Sequence, residues 1–489
     1  MAPAKKVPAK KAAAKKAAAK KTPAKKTTPT KAPDTLRVRM YRVGFGDFFL
    51  ITVPSDAGPQ HILVDCGVFQ GTSHTGDIAT IKTAVRHMVA ETGSKLALLI
   101  VTHRHADHII GFSRCATEFK TFKNNVDAIW MSVWETEYET KVEGFQEELT
   151  KIAKSMQVAL AGRQDPITED IQSVIANATG EGPGGGTNAA SLKLLKTGLG
   201  VKPQYLAKGD TPKLPAALIN AGLSVEILGP PPVDEVDYLK LMDLKKGVGQ
   251  YLDDEDDDAA SAQRLMPFSP EYVATADDYP VSAFREWRPR TKAPTSADFQ
   301  RRYPKELQEG ARTATPAALL TAAKTLNDNL NNQSLVVLFG WNGKTLLFAG
   351  DAQGGNWEYW LYGASAPAKD TSDLTLSSEG AEVLRDIDFY KVGHHGSTNA
   401  TPMPAVEAMG KGFVSLCSTQ DRVYGTPPNT EVPHLDLLHD LAQKSALVRS
   451  DQIAVDVGDL HVPAAVKAKL PTPKNGTFEV GSCYVDYLL

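Results

Sequence analysis

The apolar positions of the chain fall into short continuous runs and into stretches with helical spacing. Leu96–Val101 is a run of six apolar residues, which is typical of a buried strand and predicts a parallel one. Residues 78–91 before it carry apolar side chains at helical spacing, and Gly93 follows where a helix would end. The chain is therefore expected to pass from a helix through a buried strand into the segment after Val101.

The same pattern predicts two hairpins. Residues 48–53 and 62–64 are apolar strands on either side of a turn that begins and ends with proline. Residues 334–339 and 345–348 flank the dipeptide Asn342-Gly343, which is favoured in two-residue hairpin turns. Further strands are predicted at residues 36–43, 127–133, 389–392 and 413–418, and a helix at residues 432–443.

Three histidines and an aspartate follow the strand Leu96–Val101 within a few residues: His103, His105, Asp107 and His108. These residues are expected to lie in a loop, the usual position of catalytic residues in open α/β sheets, and the next helix is expected to start at Ile109. Imidazole and carboxylate groups bind zinc, iron or manganese, and the absence of nearby cysteine argues against a closed structural zinc site. The spacing can serve two adjacent metals. The alternative is a surface loop that is histidine-rich by chance, although the chain has only 11 histidines.

Residues 103–108 resemble the HxHxDH signature of the metallo-β-lactamase fold, and four other segments follow in that family's order. Residues 43–47 (VGFGD) resemble a turn of its ComEC-like branch, the hydrolase domain of DNA-uptake channel proteins. Residues 62–67 (ILVDCG), 346–351 (LLFAGD) and 391–397 (KVGHHGS) resemble the family's later motifs. The resemblance covers residues 36–133 and about 333–455.

This resemblance implies an α/β fold, the metallo-β-lactamase αββα sandwich, over residues 36–489. Residues 135–330 are expected to hold a large insertion, and residues 1–35 a disordered tail. The acidic run at residues 253–258 lies in that insertion, and we interpret it as a solvated loop, with metal binding as the alternative.

The resemblance also implies a two-metal centre. Carried over to this chain, His103 and His105 bind one metal, Asp107 and His108 bind the other, and Asp351 bridges the two. The adjacent pair His394 and His395 supplies the last ligand. We expect His395 to bind and His394 to act in catalysis together with Asp107 and Asp351. The metals are expected to be zinc, with manganese or iron as alternatives.

Other residues are expected to support this centre. Asp47 and Asp65 would hold the ligands by hydrogen bonds, although Asp65 could instead begin a plain turn before Gly67. The sequence has no histidine between His108 and His394, so the first site lacks the third histidine that the wider family supplies there. One of the two sites is therefore expected to be weakly occupied. Candidate contacts to substrate oxygens are Ser397, Thr398 and Asn399.

Charge divides the chain into a basic tail and an acidic body. Residues 1–31 contain 11 lysines and no acid, which leaves 43 basic and 57 acidic residues elsewhere, a net charge of −14. Such a tail is expected to stay disordered and to bind nucleic acid through its phosphates, with a purely solubilising role as the alternative.

Composition excludes several other classes of protein. No apolar run approaches the ~18 residues that a membrane span needs, and no apolar region follows the first lysines as in a signal peptide. The four cysteines are scattered, which favours a reducing compartment. We expect a cytoplasmic protein without a membrane segment.

These features together predict a metal-dependent hydrolase that uses a metal-activated water, most simply a phosphodiesterase or nuclease. Hydrolysis of an ester, lactone or amide on the same fold is one alternative. The other is a catalytically degenerate binding module, against which stands the retention of nearly every expected ligand.

Overall fold

The computed structural model describes residues 35–69, 79–160, 166–180, 187–241, 316–363, 375–421, 423, 432–453 and 470–489. The lysine-rich residues 1–31 and the acidic run 253–258 lie outside the described residues. Within the described part of the chain the fold is α/β, with two mixed β-sheets, which confirms the α/β class that the sequence predicts.

Strands and helices alternate over most of the described chain. The strands are β1 (Arg37–Tyr41), β2 (Phe49–Val53), β3 (Gln60–Val64), β4 (Leu96–Val101), β5 (Val126–Ser132), β6 (Gln204–Leu206), β7 (Leu223–Gly229), β8 (Val336–Trp341), β9 (Lys344–Phe348), β10 (Phe389–Lys391), β11 (Phe413–Cys417), β12 (Ser445–Arg449), β13 (Thr477–Val480) and β14 (Tyr484–Leu488). The helices are α1 (Ile81–Thr92), α2 (Ala106–Arg114), α3 (Ala116–Phe119), α4 (Thr140–Ala159), α5 (Pro166–Thr179), α6 (Asn188–Lys193), α7 (Ala216–Asn220), α8 (Val236–Leu239), α9 (Pro316–Asn331), α10 (Gly354–Tyr362), α11 (Ser378–Arg385), α12 (Met403–Ala408) and α13 (Leu435–Lys444).

Each sheet has an antiparallel part and a parallel part. The first sheet has the order β13-β14-β1-β2-β3-β4-β5-β6, and its strands from β3 to β6 are parallel. The second has the order β12-β11-β10-β9-β8-β7, and its strands from β9 to β12 are parallel. The carboxyl ends of the parallel strands lie at one edge of each sheet, which is where the candidate ligands follow in the sequence.

Three apolar clusters hold the sheets and helices together. One cluster contains buried residues of both sheets, and the rings of Phe49 and Phe348 meet in it with centroids 5.9 Å apart. A second joins the first sheet to α1 and α2, and a third joins the second sheet to α10, α11, α12 and α13. The two sheets thus share a core between them, and each packs helices on another face.

The predicted hairpins and the buried strand are confirmed. Strand β4 has the bounds that its apolar run predicts, and all six of its residues are buried. Strands β8 and β9 pair in antiparallel register across Asn342 and Gly343, whose φ values are 48° and 72°. Positive φ at both positions is the geometry of a type I′ turn, which accounts for the Asn-Gly dipeptide.

Helix α2 begins three residues earlier than the sequence indicates. The prediction placed Asp107 and His108 in a loop and started the helix at Ile109, whereas both residues lie in the first turn of α2. An acidic side chain in the first turn is favourable because it faces the positive end of the helix dipole. The helix therefore presents Asp107 and His108 from a rigid element.

Residues 135–330, which the sequence assigns to an insertion, contribute to both sheets. Strand β6 forms an edge of the first sheet and β7 an edge of the second. Helices α4, α5, α8 and α9 share a separate apolar cluster around Trp134. No helix among the described residues is long and apolar enough to cross a bilayer.

Candidate metal centre

Three expected ligands and the supporting residue Asp65 lie at the carboxyl ends of four parallel strands. Asp65 follows β3, His103 follows β4, Asp351 follows β9, and His395 follows β10. All four side chains are buried, with at most 1% of their surface exposed. Residues that are far apart in the chain therefore meet, because the parallel strands end at one edge of each sheet and the two sheets pack on a shared core.

Four side chains from the two sheets form a compact cluster of potential ligands. The ligand atoms of Asp107, His108, Asp351 and His395 all lie within 4.8 Å of one another. Oδ2 of Asp351 is 3.0 Å from Nε2 of His108 and 3.8 Å from Nε2 of His395. Oδ2 of Asp107 is 3.1 Å from the same atom of His395. These oxygen and nitrogen atoms face one common space.

His103 and His105 adjoin this cluster. Their ring centroids are 4.5 Å apart, and the His103 ring is 4.2 Å from that of His108. Nε2 of His103 lies 4.0 Å from Oδ2 of Asp351. The Nε2 atoms of both residues are buried and have no hydrogen-bond partner among the described residues. Leaving such atoms unpaired costs free energy, which a bound metal ion would remove, so the donor set fits a metal.

The adjacent histidines His394 and His395 face different surroundings. Nδ1 of His395 donates a hydrogen bond to the backbone carbonyl of Ser418 at 2.7 Å, which directs Nε2 towards Asp107. A ligating histidine is usually held through its other nitrogen in this way. Both residues have positive φ, 41° for His394 and 54° for His395. The structure thus brings His395, and not His394, into the four-residue cluster.

His394 lies beside carboxamide groups. Its Nδ1 is 3.0 Å from Oδ1 of Asn399 and 3.0 Å from Nε2 of Gln353, and its Nε2 is 3.4 Å from Nδ2 of Asn331. Its backbone N–H donates to Oδ1 of Asp351 at 3.1 Å. His394 is partly buried and lines a cleft next to the cluster, where a substrate group can reach it.

The cleft lies beside the cluster and is also bordered by residues of helices α5 and α9. It is lined by Phe45, Phe69, His105, Ala106, Asp107, Ser173, Val174, Asn177, Asn327 and His394. The three predicted substrate contacts, Ser397, Thr398 and Asn399, are not among these lining residues, although Asn399 touches His394, which is. The backbone N–H of Ser397 donates instead to the carbonyl of His394 at 2.9 Å.

Asp65 contacts a ligand directly. It accepts hydrogen bonds from the backbone N–H of Thr102 at 2.8 Å, from the Thr102 hydroxyl at 2.7 Å and from Nδ1 of His108 at 2.8 Å. The carboxylate of Asp47 lies 3.7 Å from Nδ1 of His108 and 3.7 Å from Nδ1 of His395. Both aspartates are therefore behind the ligands, on the side away from the cleft.

Glycines allow the Asp47 and Asp65 loops to approach α2 closely. A Cβ atom on Gly67 would lie 2.2 Å from the backbone oxygen of Asp107, and one on Gly46 would lie 2.9 Å from it. The space is used for hydrogen bonds, since the N–H of Asp47 donates to the Asp107 carbonyl at 2.8 Å. The two glycine-containing motifs thus bring the supporting aspartates against the ligand helix.

Sequence reasoning missed Lys391. Its ammonium group is buried, forms an ion pair with Asp47, donates to the carbonyl of Gly350 at 3.0 Å and lies 3.5 Å from Oδ1 of Asp351. Because Oδ1 of Asp351 faces Lys391 and the N–H of His394, Oδ2 is left to face the imidazoles. A lysine inside the apolar run 389–392 was the signal that could have found it.

Two asparagines that hold the ligand loop were also missed. Oδ1 of Asn177, on α5, accepts the backbone N–H of Ala106 at 3.0 Å. Nδ2 of Asn188, on α6, donates to the carbonyl of Arg104 at 2.9 Å and to Oδ1 of Asn177 at 3.0 Å. His105 occupies the N-cap position of α2 but makes no side-chain capping bond, and Asn177 accepts the first backbone N–H of the helix, which has no partner within the helix. Nothing local in the sequence marks this contact.

Burial and neighbouring charges shift the titration of the ligands. Burial lowers the pKa of His105 to about 4 and lowers that of His103 well below its usual value, so both are neutral at pH 7. Burial also acts on His108 and His395, but attraction to Asp351 and the other carboxylates outweighs it and raises both pKa values. In the absence of metal these shifts favour the protonated imidazoles at the position where a metal ion would sit.

No protein-family model matches the sequence, and a search of curated proteins found no significant match.

Proposed function

We propose that this chain is a metal-dependent hydrolase of the metallo-β-lactamase fold, from its ComEC-like branch, and that it acts on phosphodiesters. The observation that carries the proposal is the cluster of Asp107, His108, Asp351 and His395, next to the unpaired nitrogens of His103 and His105. The two sheets with a shared core and with helices on other faces are consistent with the αββα sandwich that the resemblance implies.

The ligands divide between two metal positions. His103 and His105 serve one, Asp107, His108 and His395 serve the other, and Oδ2 of Asp351 lies between both groups. The ligand types suit zinc, with manganese or iron as alternatives. Bound metal ions would lower the pKa of a coordinated water and polarise the substrate oxygen. The first group has only two histidines, so we expect weaker binding there.

The remaining residues of the centre position these groups. Asp65 fixes the ring of His108, and the Ser418 carbonyl fixes that of His395. His394 lines the cleft and is placed to contact the substrate or its leaving group, with Asn399 holding its ring. The catalytic roles proposed for Asp107 and Asp351 are to hold metal and orient the attacking water.

We propose phosphodiesters as the substrate class, in preference to other substrates, on two grounds. The first is the resemblance to a branch of hydrolases that acts on DNA. The second is the tail with 11 lysines at residues 1–31, which would bind a polyanion. Neither ground depends on the geometry of the cluster, so the substrate class is tested separately from the metal centre.

The test is elemental analysis of the purified protein combined with a panel of substrates. We expect bound transition metal and hydrolysis of a chromogenic phosphodiester, both abolished by chelation and restored by added metal. A metal-bound protein that cleaves only esters, lactones or amides would replace the substrate class. A protein that binds no metal, or that binds metal and cleaves nothing, would leave the binding-module alternative.

A further inference from the structure

We infer that the buried pair of Lys391 and Asp47 sets the net charge of the metal-loaded centre, so that the loaded centre is cationic and selects an anionic substrate. This inference rests on the proposed function, since it concerns the centre with metal bound. A net positive charge at that centre would favour a phosphodiester over a neutral ester.

The fixed charges of the centre are few and all buried. Four carboxylates surround the imidazoles, and one ammonium group lies among them, each with at most 9% of its surface exposed. The carboxylates are those of Asp47, Asp65, Asp107 and Asp351, and the ammonium is that of Lys391. A metal ligand must be deprotonated, so the histidines are neutral when metal is bound.

These charges sum to −3 with neutral histidines. Charge buried in protein must be balanced nearby, because its desolvation is expensive. One divalent ion would leave the centre at −1, whereas two would bring it to +1. A coordinated hydroxide, or one anionic oxygen of a phosphodiester, then brings the sum to zero. The fixed charges therefore match two divalent ions and one anionic ligand.

Lys391 is the residue that makes the sum positive. It forms an ion pair with Asp47 and so cancels the negative charge of that carboxylate. The Asp47 carboxylate reaches the candidate ligands only at Nδ1 of His108 and Nδ1 of His395. Its Nζ atom faces the carboxylates of Asp47 and Asp351 and donates to the carbonyl of Gly350 at 3.0 Å, which are the contacts of an ammonium donor. Without this ammonium the centre with two metals would be neutral.

We expect the variants to differ in a definite order of phosphate affinity. With two divalent ions bound, the net charge of the centre should be +2 in Asp47→Asn, +1 in the wild type and zero in Lys391→Met. It should again be +1 in the double variant D47N/K391M. Affinity of the metal-loaded protein for inorganic phosphate should follow that order, with the double variant close to the wild type. For charges ~5 Å apart at an effective dielectric of ~20, we expect each step to change affinity by roughly 100-fold or more.

The experiment measures phosphate binding by calorimetry, with metal content determined on the same samples. Lys344→Met is the matched control, because Lys344 forms an ion pair with Asp388 at 2.8 Å at the opposite end of β9. It should leave phosphate affinity unchanged. The ratio of phosphodiester to ester hydrolysis should fall in Lys391→Met and recover in the double variant.

A purely structural role for the pair gives a different pattern. Both single variants would then weaken phosphate binding, and Asp47→Asn would not strengthen it, which would overturn the inference. If Lys391→Met does not fold, the order of Asp47→Asn, wild type and double variant still decides the matter. Absence of metal from the wild-type protein would overturn the proposed function itself. The metal determination on the same samples detects that outcome separately from the phosphate affinities.

Discussion

Nε2 of His395 lies 3.1 Å from Oδ2 of Asp107, although the two residues are 288 positions apart in the chain. Asp107 belongs to the helix that follows β4 of the first sheet, and His395 follows β10 of the second. The contact therefore joins the two sheets at the ends of their parallel strands. His395 lies in a loop and Asp107 in the first turn of a helix, so substitution of either residue removes no apolar side chain from the core.

The adjacent histidines should separate on mutation. His395→Ala should lower metal content and activity together, because Nε2 of His395 is part of the four-residue cluster. His394→Ala should lower activity while most of the metal stays bound, since His394 lies in the cleft beside Asn399. Elemental analysis and hydrolysis of a small phosphodiester on the same samples measure both effects. Loss of metal in the His394 variant, with retention in the His395 variant, would exchange their roles.

The double variant H103A/H105A should lose metal from the first position without unfolding the protein. The Nε2 atoms of both residues lack hydrogen-bond partners among the described residues, so their removal breaks no hydrogen bond of those atoms. Circular dichroism should be unchanged, and elemental analysis should show less metal than in wild type. Undiminished metal in a folded double variant would rule out the assignment of these two ligands.

Much of the fold around the centre could be predicted because the signals are local. The run Leu96–Val101 is short and has no polar residue, which favours a fully buried strand, and Asn342-Gly343 suits one kind of tight turn. The start of α2 was predicted too late because the ligand residues interrupt the apolar spacing of its first turn. Ligand chemistry there hides the helical pattern.

Contacts between residues far apart in the chain were predicted only where short motifs mark them. Asp65, Asp351 and His395 belong to such motifs, and the structure brings them close to one another. The contact of Asn177 with Ala106 joins residues 71 positions apart, and an asparagine in a helix has no distinguishing pattern. Such a contact depends on tertiary packing alone.

Metal binding should release protons at neutral pH. In the metal-free protein, attraction to Asp351 and neighbouring carboxylates outweighs burial and raises the pKa of His108 and of His395, which favours their protonated forms. A metal ion binds only the neutral imidazole, so loading should release up to two protons and its affinity should rise with pH. Calorimetry in buffers of different ionisation enthalpy measures that number. An enthalpy independent of the buffer would contradict the prediction.

Asn177→Ala should weaken metal binding more than it weakens the fold. The variant removes the acceptor for the backbone N–H of Ala106, at the start of the helix that carries Asp107 and His108. Partners that orient metal ligands typically contribute about 10- to 100-fold to metal affinity. Loss of the capping acceptor should lower the free energy of unfolding by only about 1 kcal/mol. Asn177→Asp retains the acceptor oxygen and should retain most of the affinity.

A matched control separates positioning from stability. Ile152→Ala, in the apolar cluster of α4, removes buried side chain without touching the ligand loop and should cost about 2–5 kcal/mol of unfolding free energy. Its metal affinity should equal that of wild type. If Asn177→Ala and Ile152→Ala lower metal affinity in proportion to their loss of stability, Asn177 has no specific role at the metal centre.

The lysine-rich tail should matter for long nucleic acids and not for small substrates. Residues 1–31 carry 11 lysines and the rest of the chain has a net charge of −14, so the body should repel a polyanion that the tail attracts. A tail joined to the body would raise the local concentration of nucleic acid near the metal centre without forming part of that centre. Deletion of residues 1–33 should therefore weaken binding and cleavage of long DNA or RNA, most strongly at low salt. Hydrolysis of a chromogenic phosphodiester should stay nearly the same. Equal binding of long DNA by the two proteins across a salt series would refute this division, and it would remove one of the two grounds for preferring a nucleic-acid substrate.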